Sequence, residues 1–521
     1  MNVIPLPNKC IDLKKKISFS NYEIIIANKY QNGVLHFNHQ LEEHLKIDEK
    51  KKPFIFEFEI ARELKKQEYH IKIQDDIALI TASCEYGFYL ASNTLIQLMN
   101  IHYGPVRNKI EFNAYDIEDE PFIEFRSFML DESRHFFGKE EVYKLIDVLS
   151  LLKFNYFHWH LSDDQGFRID FKTFPRLKEI AAKRERSLIN SEKYQEYDEH
   201  EYYHYYTYQD IKDVINYAKK HYIEIIPEID MPGHTSALIA AYNDLHCFNQ
   251  KCKTAETFGV FYKDVMCLGK DSTYTFAFNL LDELCNLFSS SKYIHIGGDE
   301  VVNDNYKICP DCQNKIKELK LKDEVELQAY FSNMLANHLM NKGKKVIMWH
   351  DGVKDSSDDD IIMQYWDWQM VEKSINYINE GRKCIYSPCS QNYFNDPYAE
   401  LPLSTTYNRG IKLDGLTKIE NIIGMECNIW TEWIDSNAKL EFNLFPRLQA
   451  QSESTWTFMI NKDYDNFIER VKQFDKYLDE KNIVHAPLEI CNILDENYKK
   501  EISGRYRDKE KDVEFKMLNK K

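Results

Sequence analysis

The residues able to do chemistry gather in a few short runs. In Ile294-His-Ile-Gly-Gly-Asp299-Glu300, two glycines close an apolar run and two acids follow at once. Glycines at a strand end let a ligand or another backbone approach closely. Neighbouring negative charge and burial both raise a carboxyl pKa, so one acid of the pair can keep its proton near neutral pH and serve as a general acid. The plain alternative is a helix N-terminus that favours two acids, and for this run alone the two readings are level. A second run, Phe157-His158-Trp159-His160-Leu161-Ser162-Asp163-Asp164-Gln165-Gly166-Phe167-Arg168, puts His158 and His160 on one side of a strand. Such a pair can hold zinc or manganese, but buried histidines held by carboxylates are commoner, and that reading is preferred. In Ile226-Pro-Glu228-Ile-Asp230-Met-Pro-Gly233-His234, acids end a strand and the turn presents His234 beside them, as a proton-network candidate or a capping histidine. Trp349, Trp366 and Trp430 each stand near a strand end. Singly each suits a core; together they could wall a small apolar group such as an N-acetyl methyl. Cys309-Pro-Asp-Cys312 lacks an evident second pair, Cys247 and Cys252 being poor candidates, so it is read as a loop with two free thiols.

Positioning these runs takes regular elements. Short apolar segments recur at Phe125–Leu130, Tyr156–His160, Ile223–Glu228, Tyr293–Ile296, Lys345–Trp349, Ile361–Tyr365, Lys383–Ser387 and Ile422–Met425. Helical patterns separate most of them, as at Lys139–Leu152, Gln209–His221, Tyr274–Phe288 and Val325–Asn341. Strands alternating with helices pair in parallel, and eight can close a (β/α)8 TIM barrel. The chemistry-bearing residues then fall just after strands, where barrel enzymes collect their catalytic groups. Before the barrel, Phe54–Ile60 and Tyr69–Ile73 alternate apolar and polar, Ile77–Ala82 is a further strand, and Gly87–Asn100 is an amphipathic helix with Leu90, Leu95 and Leu98. The fold class expected is α/β: a smaller α+β domain over residues 1–115, a barrel over 116–450, and a last helix with a C-terminal extension over 451–521.

A formal charge of −17 opposes non-specific binding to nucleic acid or anionic lipid. No run of about 18 apolar residues predicts a transmembrane helix. The opening Met1-Asn-Val-Ile-Pro-Leu-Pro is too short and proline-broken for a signal peptide, and the 12 cysteines are irregularly spaced, so a reduced cytoplasmic protein is expected.

Taken in order along the chain, Arg126-Ser-Phe-Met-Leu-Asp131-Glu-Ser-Arg134-His135-Phe, His158 to Arg168, Pro227 to His234, His295-Ile-Gly-Gly-Asp-Glu-Val301 and Gly424-Met-Glu-Cys-Asn-Ile-Trp430-Thr-Glu432 resemble the β-N-acetylhexosaminidases of glycoside hydrolase family 20. Gly87 to Leu98 is similar to the α+β domain that precedes the barrel there. The resemblance implies a retaining exo-hydrolase that releases terminal β-linked GlcNAc or GalNAc, uses the substrate's 2-acetamido group as nucleophile, and needs no cofactor or metal. Glu300 would be the general acid/base and Asp299 the partner of the acetamido nitrogen. Tyr393 would hold the acetamido carbonyl, and Trp349, Trp366 and Trp430 would wall its pocket. Arg126 would reach the 3- and 4-hydroxyls, and Glu432 the 4- and 6-hydroxyls. Asp163 and His234 would back Glu300, with Asp164 a further candidate. Asn395 stands where some members carry Asp near the 6-hydroxyl, with the acid Asp396 next to it. Phe167 replaces a common Trp, and the aromatic loop Tyr202–Tyr206 could shape a site beyond the first sugar. The partner implied is an oligosaccharide or glycoconjugate, and a homodimer is a candidate assembly. Runners-up are a lacto-N-biosidase of the same family, a metal-dependent barrel hydrolase or isomerase built on His158, His160, Asp163 and Glu228, and a sugar-binding protein without activity.

Overall fold

Alternation over residues 54–60 buries Phe54, Phe56 and Phe58 on one face of a strand. The computed structural model, which describes residues 1–190, 196–248, 251–258, 264–366 and 370–492, places that strand in a six-stranded N-terminal sheet. Its strands are β1 (Lys9–Phe19), β2 (Tyr22–Ile26), β3 (Phe54–Ile60), β4 (Tyr69–Gln74), β5 (Ile77–Ala82) and β6 (Ile110–Asp119), ordered β1-β6-β4-β5-β3-β2. The last strand runs past the boundary expected at residue 115. The helix Glu85–Leu98 is buried over nearly its whole length, not on one face alone. Asn93 donates to Ser150 O at 2.9 Å, and Gln97 donates to Leu151 O at 3.1 Å and to Ile4 O at 2.7 Å. Its polar residues thus dock it onto the barrel, a role that apolar periodicity does not register.

The eight apolar runs all become barrel strands: β7 (Phe125–Asp131), β8 (Tyr156–His160), β9 (Glu224–Glu228), β10 (Tyr293–His295), β11 (Lys345–Trp349), β12 (Ile362–Tyr365), β13 (Cys384–Tyr386) and β14 (Ile422–Ile429). Every neighbouring pair is parallel, and β14 pairs β7 to close the ring. Register sets the chemistry at one height: Asp131 pairs with His160, His160 with Glu228, and Glu228 with His295. Strong local signals fix the helices between. Before Tyr208–Lys220, Thr207 and Asp210 form a reciprocal capping box, a device that contributes about 1 kcal/mol. None of the described helices is long and apolar enough to cross a membrane. The charged end of the C-terminal extension, beyond residue 492, lies outside the described residues.

Sheet and barrel share a polar seam beneath the strands. The Lys153 ammonium is fully buried, 3.2 Å from Asp119 and 4.2 Å from the Trp456 ring. Trp456 Nε1 donates to both Asp119 oxygens at 3.0 Å, and Tyr69 also donates to that carboxylate. A buried ammonium is tolerated where such partners replace water.

Candidate active site

At the opposite end, β10 runs into Gly297 and Gly298, both in the left-handed region at φ 62° and 95°. A Cβ on Gly297 would lie 1.9 Å from Asp230 Oδ1, so only glycine lets the turn close on that acid. Glu300 itself has φ 51° and His234 φ 50°. Side chains held there are strained, and such strain persists where surrounding bonds over-determine the position. Here the Glu300 N–H donates to Asp351 Oδ2 at 2.7 Å, and the same carboxylate accepts Trp366 Nε1 at 2.9 Å.

The two acids differ in exposure. Asp299 is buried, while the Glu300 side chain is 35% exposed and opens to the mouth. His234 Nε2 lies 3.4 Å from Glu300 Oε2 and 3.7 Å from Asp299 Oδ2. Its Nδ1 faces Asp163 at 3.1 Å and Asp164 at 3.2 Å. Burial opposes charge on His234, but Asp163 and Asp299 outweigh it and hold the imidazole well above its usual pKa. Burial likewise opposes ionisation of Asp163, yet Arg134 and His234 keep it far below the carboxylate range. Asp299 and Asp230 go the other way. Burial and then Asp230's charge push Asp299 well up against the pull of His234. Burial raises Asp230 to about 8, with His234 opposing and Glu228 adding. Two acids in one dry space favour sharing a proton. Asp230 and Asp299 lie within hydrogen-bonding reach of each other, so a shared proton would sit between them.

Beside these acids stands an aromatic box. Trp349 and Trp430 lie 5.7 Å apart, Tyr393 and Trp430 6.1 Å, and Trp366 stacks with Tyr393 at 6.4 Å. The Tyr393 phenol is raised well above its usual value by burial and next by the Cys389 thiol, with a smaller push from the charge of Asp299. Trp349 is fully buried and its Nε1 donates to Glu228 Oε1 at 2.8 Å, so it forms the floor and the others the walls. Asn395 Oδ1 accepts the Trp430 N–H at 3.4 Å.

Arg126 is a correction. It lies at the start of β7, on the barrel floor, and gives hydrogen bonds to Lys153 O, Ile123 O, Glu124 O and Gln67 Oε1 at 2.7–2.9 Å. No sugar at the mouth can reach it. The cation at the mouth is Arg134, beyond the end of β7. It pairs with Asp163 at 2.8 Å and Asp131 at 3.2 Å, and lies 5.2 Å over the Trp430 ring. Glu432 is pushed up by burial while Arg134 draws it down, so the two side chains are neighbours. The strand-end rule would have chosen Arg134, and also Asp351, two residues past β11. In the aromatic loop, two of the rings are tied to neighbouring segments. Tyr206 donates to Glu132 at 2.7 Å, and Tyr202 accepts the Phe136 N–H at 2.6 Å under the Arg184 guanidinium. Both rings hold loops together. A second correction concerns Cys309 and Cys312, which do not stand alone: Cys247 and Cys267 join them in a buried cluster. Phe167, at the common Trp position, is buried in the core.

Below the box the histidines are bound to carboxylates. His158 reaches Glu426 at 3.0 Å and Glu228 at 3.1 Å, His160 meets Glu228 and Asp163, and His295 reaches Glu228 at 2.8 Å. Glu228 thus anchors three imidazoles and one indole.

A closed eight-strand parallel barrel with an acid pair at its mouth and an indole-lined recess defines a glycosidase-like site. Residues 123–459 match the catalytic domain of glycosyl hydrolase family 20, and the chain belongs to that family. It is 31% identical over 516 residues to a β-hexosaminidase of Porphyromonas gingivalis and 30% over 394 residues to one of Vibrio furnissii, matches that take in 94% and 72% of this chain. The chain spans 65% and 63% of the length of these two relatives. Among solved structures, it is similar to a Vibrio harveyi family 20 exo-β-N-acetylglucosaminidase in complex with N-acetylglucosamine (TM-score 0.81, 26% identity, 94% of this chain and 78% of the other). A Bacteroides fragilis β-N-acetylhexosaminidase aligns with a TM-score of 0.76 at 27% identity, over 93% of this chain and 97% of the other.

Proposed function

We propose that this chain is a retaining exo-β-N-acetylhexosaminidase that releases terminal β-linked GlcNAc or GalNAc with the substrate's acetamido group as nucleophile. The observation that carries this reading is the aromatic box of Trp349, Trp366, Tyr393 and Trp430 beside an acid pair, buried Asp299 and the more open Glu300, that shares His234. A 2-acetamido group seated there would offer its N–H to Asp299 and its carbonyl to the Tyr393 hydroxyl, with its methyl among Trp366, Trp430 and Trp349.

Glu300 gives its proton to the glycosidic oxygen as the C1–O bond breaks, and the acetamido carbonyl oxygen bonds to C1. The resulting oxazolinium is positive at nitrogen, and Asp299 as a carboxylate stabilises it. A water then adds to C1 while Glu300 takes its proton, the ring opens, and the β-configuration returns. Tethering the nucleophile to the sugar removes most of the entropic cost of bringing it to C1; family 20 is among the known exceptions to the two-carboxylate retaining scheme. Cationic His234, held by Asp163 and Asp164, keeps the acids oriented. Arg134 and Glu432 replace Arg126 as the pair proposed to grip the sugar's outer hydroxyls.

Aryl β-glycosides with and without the 2-acetamido group test this. Turnover of p-nitrophenyl β-GlcNAc with no measurable turnover of the β-glucoside is expected, and equal rates would point to a protein nucleophile. The lacto-N-biosidase reading needs room beyond C3 and C4, where Arg134 and Glu432 sit. Faster release from the β-lacto-N-bioside than from β-GlcNAc would favour it.

A further inference from the structure

Away from the mouth, four cysteines from three separate segments converge. Cys247 follows the short turn Asn243–Leu245, Cys267 precedes the helix Asp271–Leu287, and Cys309 and Cys312 flank Pro310 at the start of the helix Pro310–Leu319. All four are buried, and their sulfurs all lie within 4.8 Å of one another. Cys267 is 3.7 Å from both Cys309 and Cys312, and Cys247 is 3.9 Å from Cys312. A disulfide requires about 2.05 Å. A tetrahedron with metal–thiolate bonds of about 2.3 Å has edges of about 3.8 Å, the spacing seen here.

Two further features fit a bound cation. A Cβ on Gly269 would lie 2.1 Å from the Asp311 carbonyl carbon and 2.2 Å from Cys312 N, so a glycine is needed for the Cys267 segment to close on the CxxC turn. The Tyr306 hydroxyl is buried without a hydrogen-bond partner, and the thiols of Cys247, Cys312 and Cys267 are close enough to influence its ionisation.

We propose that Cys247, Cys267, Cys309 and Cys312 bind one structural zinc ion. Four thiolate ligands complete a tetrahedral shell with no position left for substrate, and their softness selects zinc over magnesium or calcium. As each sulfur–zinc bond forms, the thiol releases its proton to solvent. The ion would tie together the segments behind both catalytic loops. Cys309 follows Glu300 by nine residues. The Cys267 segment bonds back to the His234 turn: Met266 N donates to Pro232 O at 3.0 Å, and Thr235 Oγ1 donates to Asp264 O at 3.1 Å.

Metal analysis of the purified full chain should give one zinc per molecule, with all 12 cysteines titrating as thiols after denaturation. Titration with an organomercurial should release that zinc to a chromophoric chelator, and Co(II) exchanged into the site should show the intense d–d bands of a tetrahedral thiolate complex. Cys309→Ser/Cys312→Ser should lose the metal and several degrees of melting temperature. If that variant fails to fold, the cobalt spectrum of the wild-type chain still decides. A chain with zinc below about 0.1 per molecule, whether its thiols are free or paired as disulfides, overturns the proposal, as does octahedral cobalt.

Discussion

The two ends of the barrel are built from the same residue types and do opposite things with them. The floor holds Arg126, Lys153, Asp119 and Trp456; the mouth holds Arg134, His234, Asp299, Asp230 and three indoles. On the floor the hydrogen-bonding atoms of these charges are engaged: Arg126 meets four acceptors, and Asp119 takes the tryptophan, the tyrosine and the lysine together. At the mouth, Asp299 and Asp230 are two buried acids paired with each other, and two residues sit in the left-handed region. Two acids packed together in a dry space favour one proton between them. Under the proposed function, a substrate N–H would take the place of the proton between those acids. Residue type alone therefore does not separate a working end from a structural one; the way the charges are paired does.

Substitutions at matched positions sharpen the contrast. Glu300→Gln should cut kcat on p-nitrophenyl β-GlcNAc by about 10²–10⁴-fold with the melting temperature unchanged; near wild-type turnover would remove Glu300 from its role. Arg126→Met should do the reverse. It strands four acceptors and costs about 2–4 kcal/mol of stability, while activity per folded molecule stays within a factor of two or so. Denaturant unfolding and active-site titration separate the two quantities, and a large fall in kcat at full stability would return Arg126 to the site.

Finer effects concern protons. In the proposed mechanism Asp299 must be ionised to face the positive intermediate, and Asp230 keeps its pKa high after burial has raised it. Below that pKa Asp299 is protonated and inactive. Asp230→Asn removes the neighbouring charge yet still accepts the Gly298 N–H, so the acid limb of kcat/KM should move by roughly one unit to lower pH. An unmoved limb would break the link between the two acids. In the layer below, His158 and His160 are raised to about 9 and about 10 by Glu426 and Glu228, and by Glu228 and Asp163, against burial. In the unfolded chain both titrate near 6.5. Their stabilisation is complete below that pH and is lost as pH rises through 9 and then 10. Melting temperatures measured from pH 6 to pH 10 should fall across that window, and a flat profile would mean that these imidazoles are neutral.

Much of this was legible in the chain. All eight barrel strands showed as apolar runs because parallel strands are buried on both faces, and the acid pair stood out behind its glycines. Arg126 misled because two arginines occur within nine residues of one motif and only strand polarity tells them apart. Asp351 drew no notice, since its role is to hold a backbone N–H and an indole that meet only in three dimensions. The cysteine cluster was hidden by distance: its ligands span residues 247 to 312, and Cys252, next in sequence to Cys247, lies outside it. The helix Glu85–Leu98 looked half-exposed because its interface with the barrel is made by Asn93 and Gln97.

The seam under the strands bears on how the chain can be divided. Lys153 belongs to the barrel, yet its counter-charge Asp119 arrives from the N-terminal sheet, and Glu453 takes the backbone N–H of Leu6 at 3.1 Å. A fragment starting at residue 120 would leave an ammonium and an indole facing outward with nothing to neutralise or cover them. Calorimetry on the intact chain should accordingly show sheet and barrel melting in one transition, and a hydrolase trimmed to its catalytic match would lose solubility before it lost any residue that touches sugar.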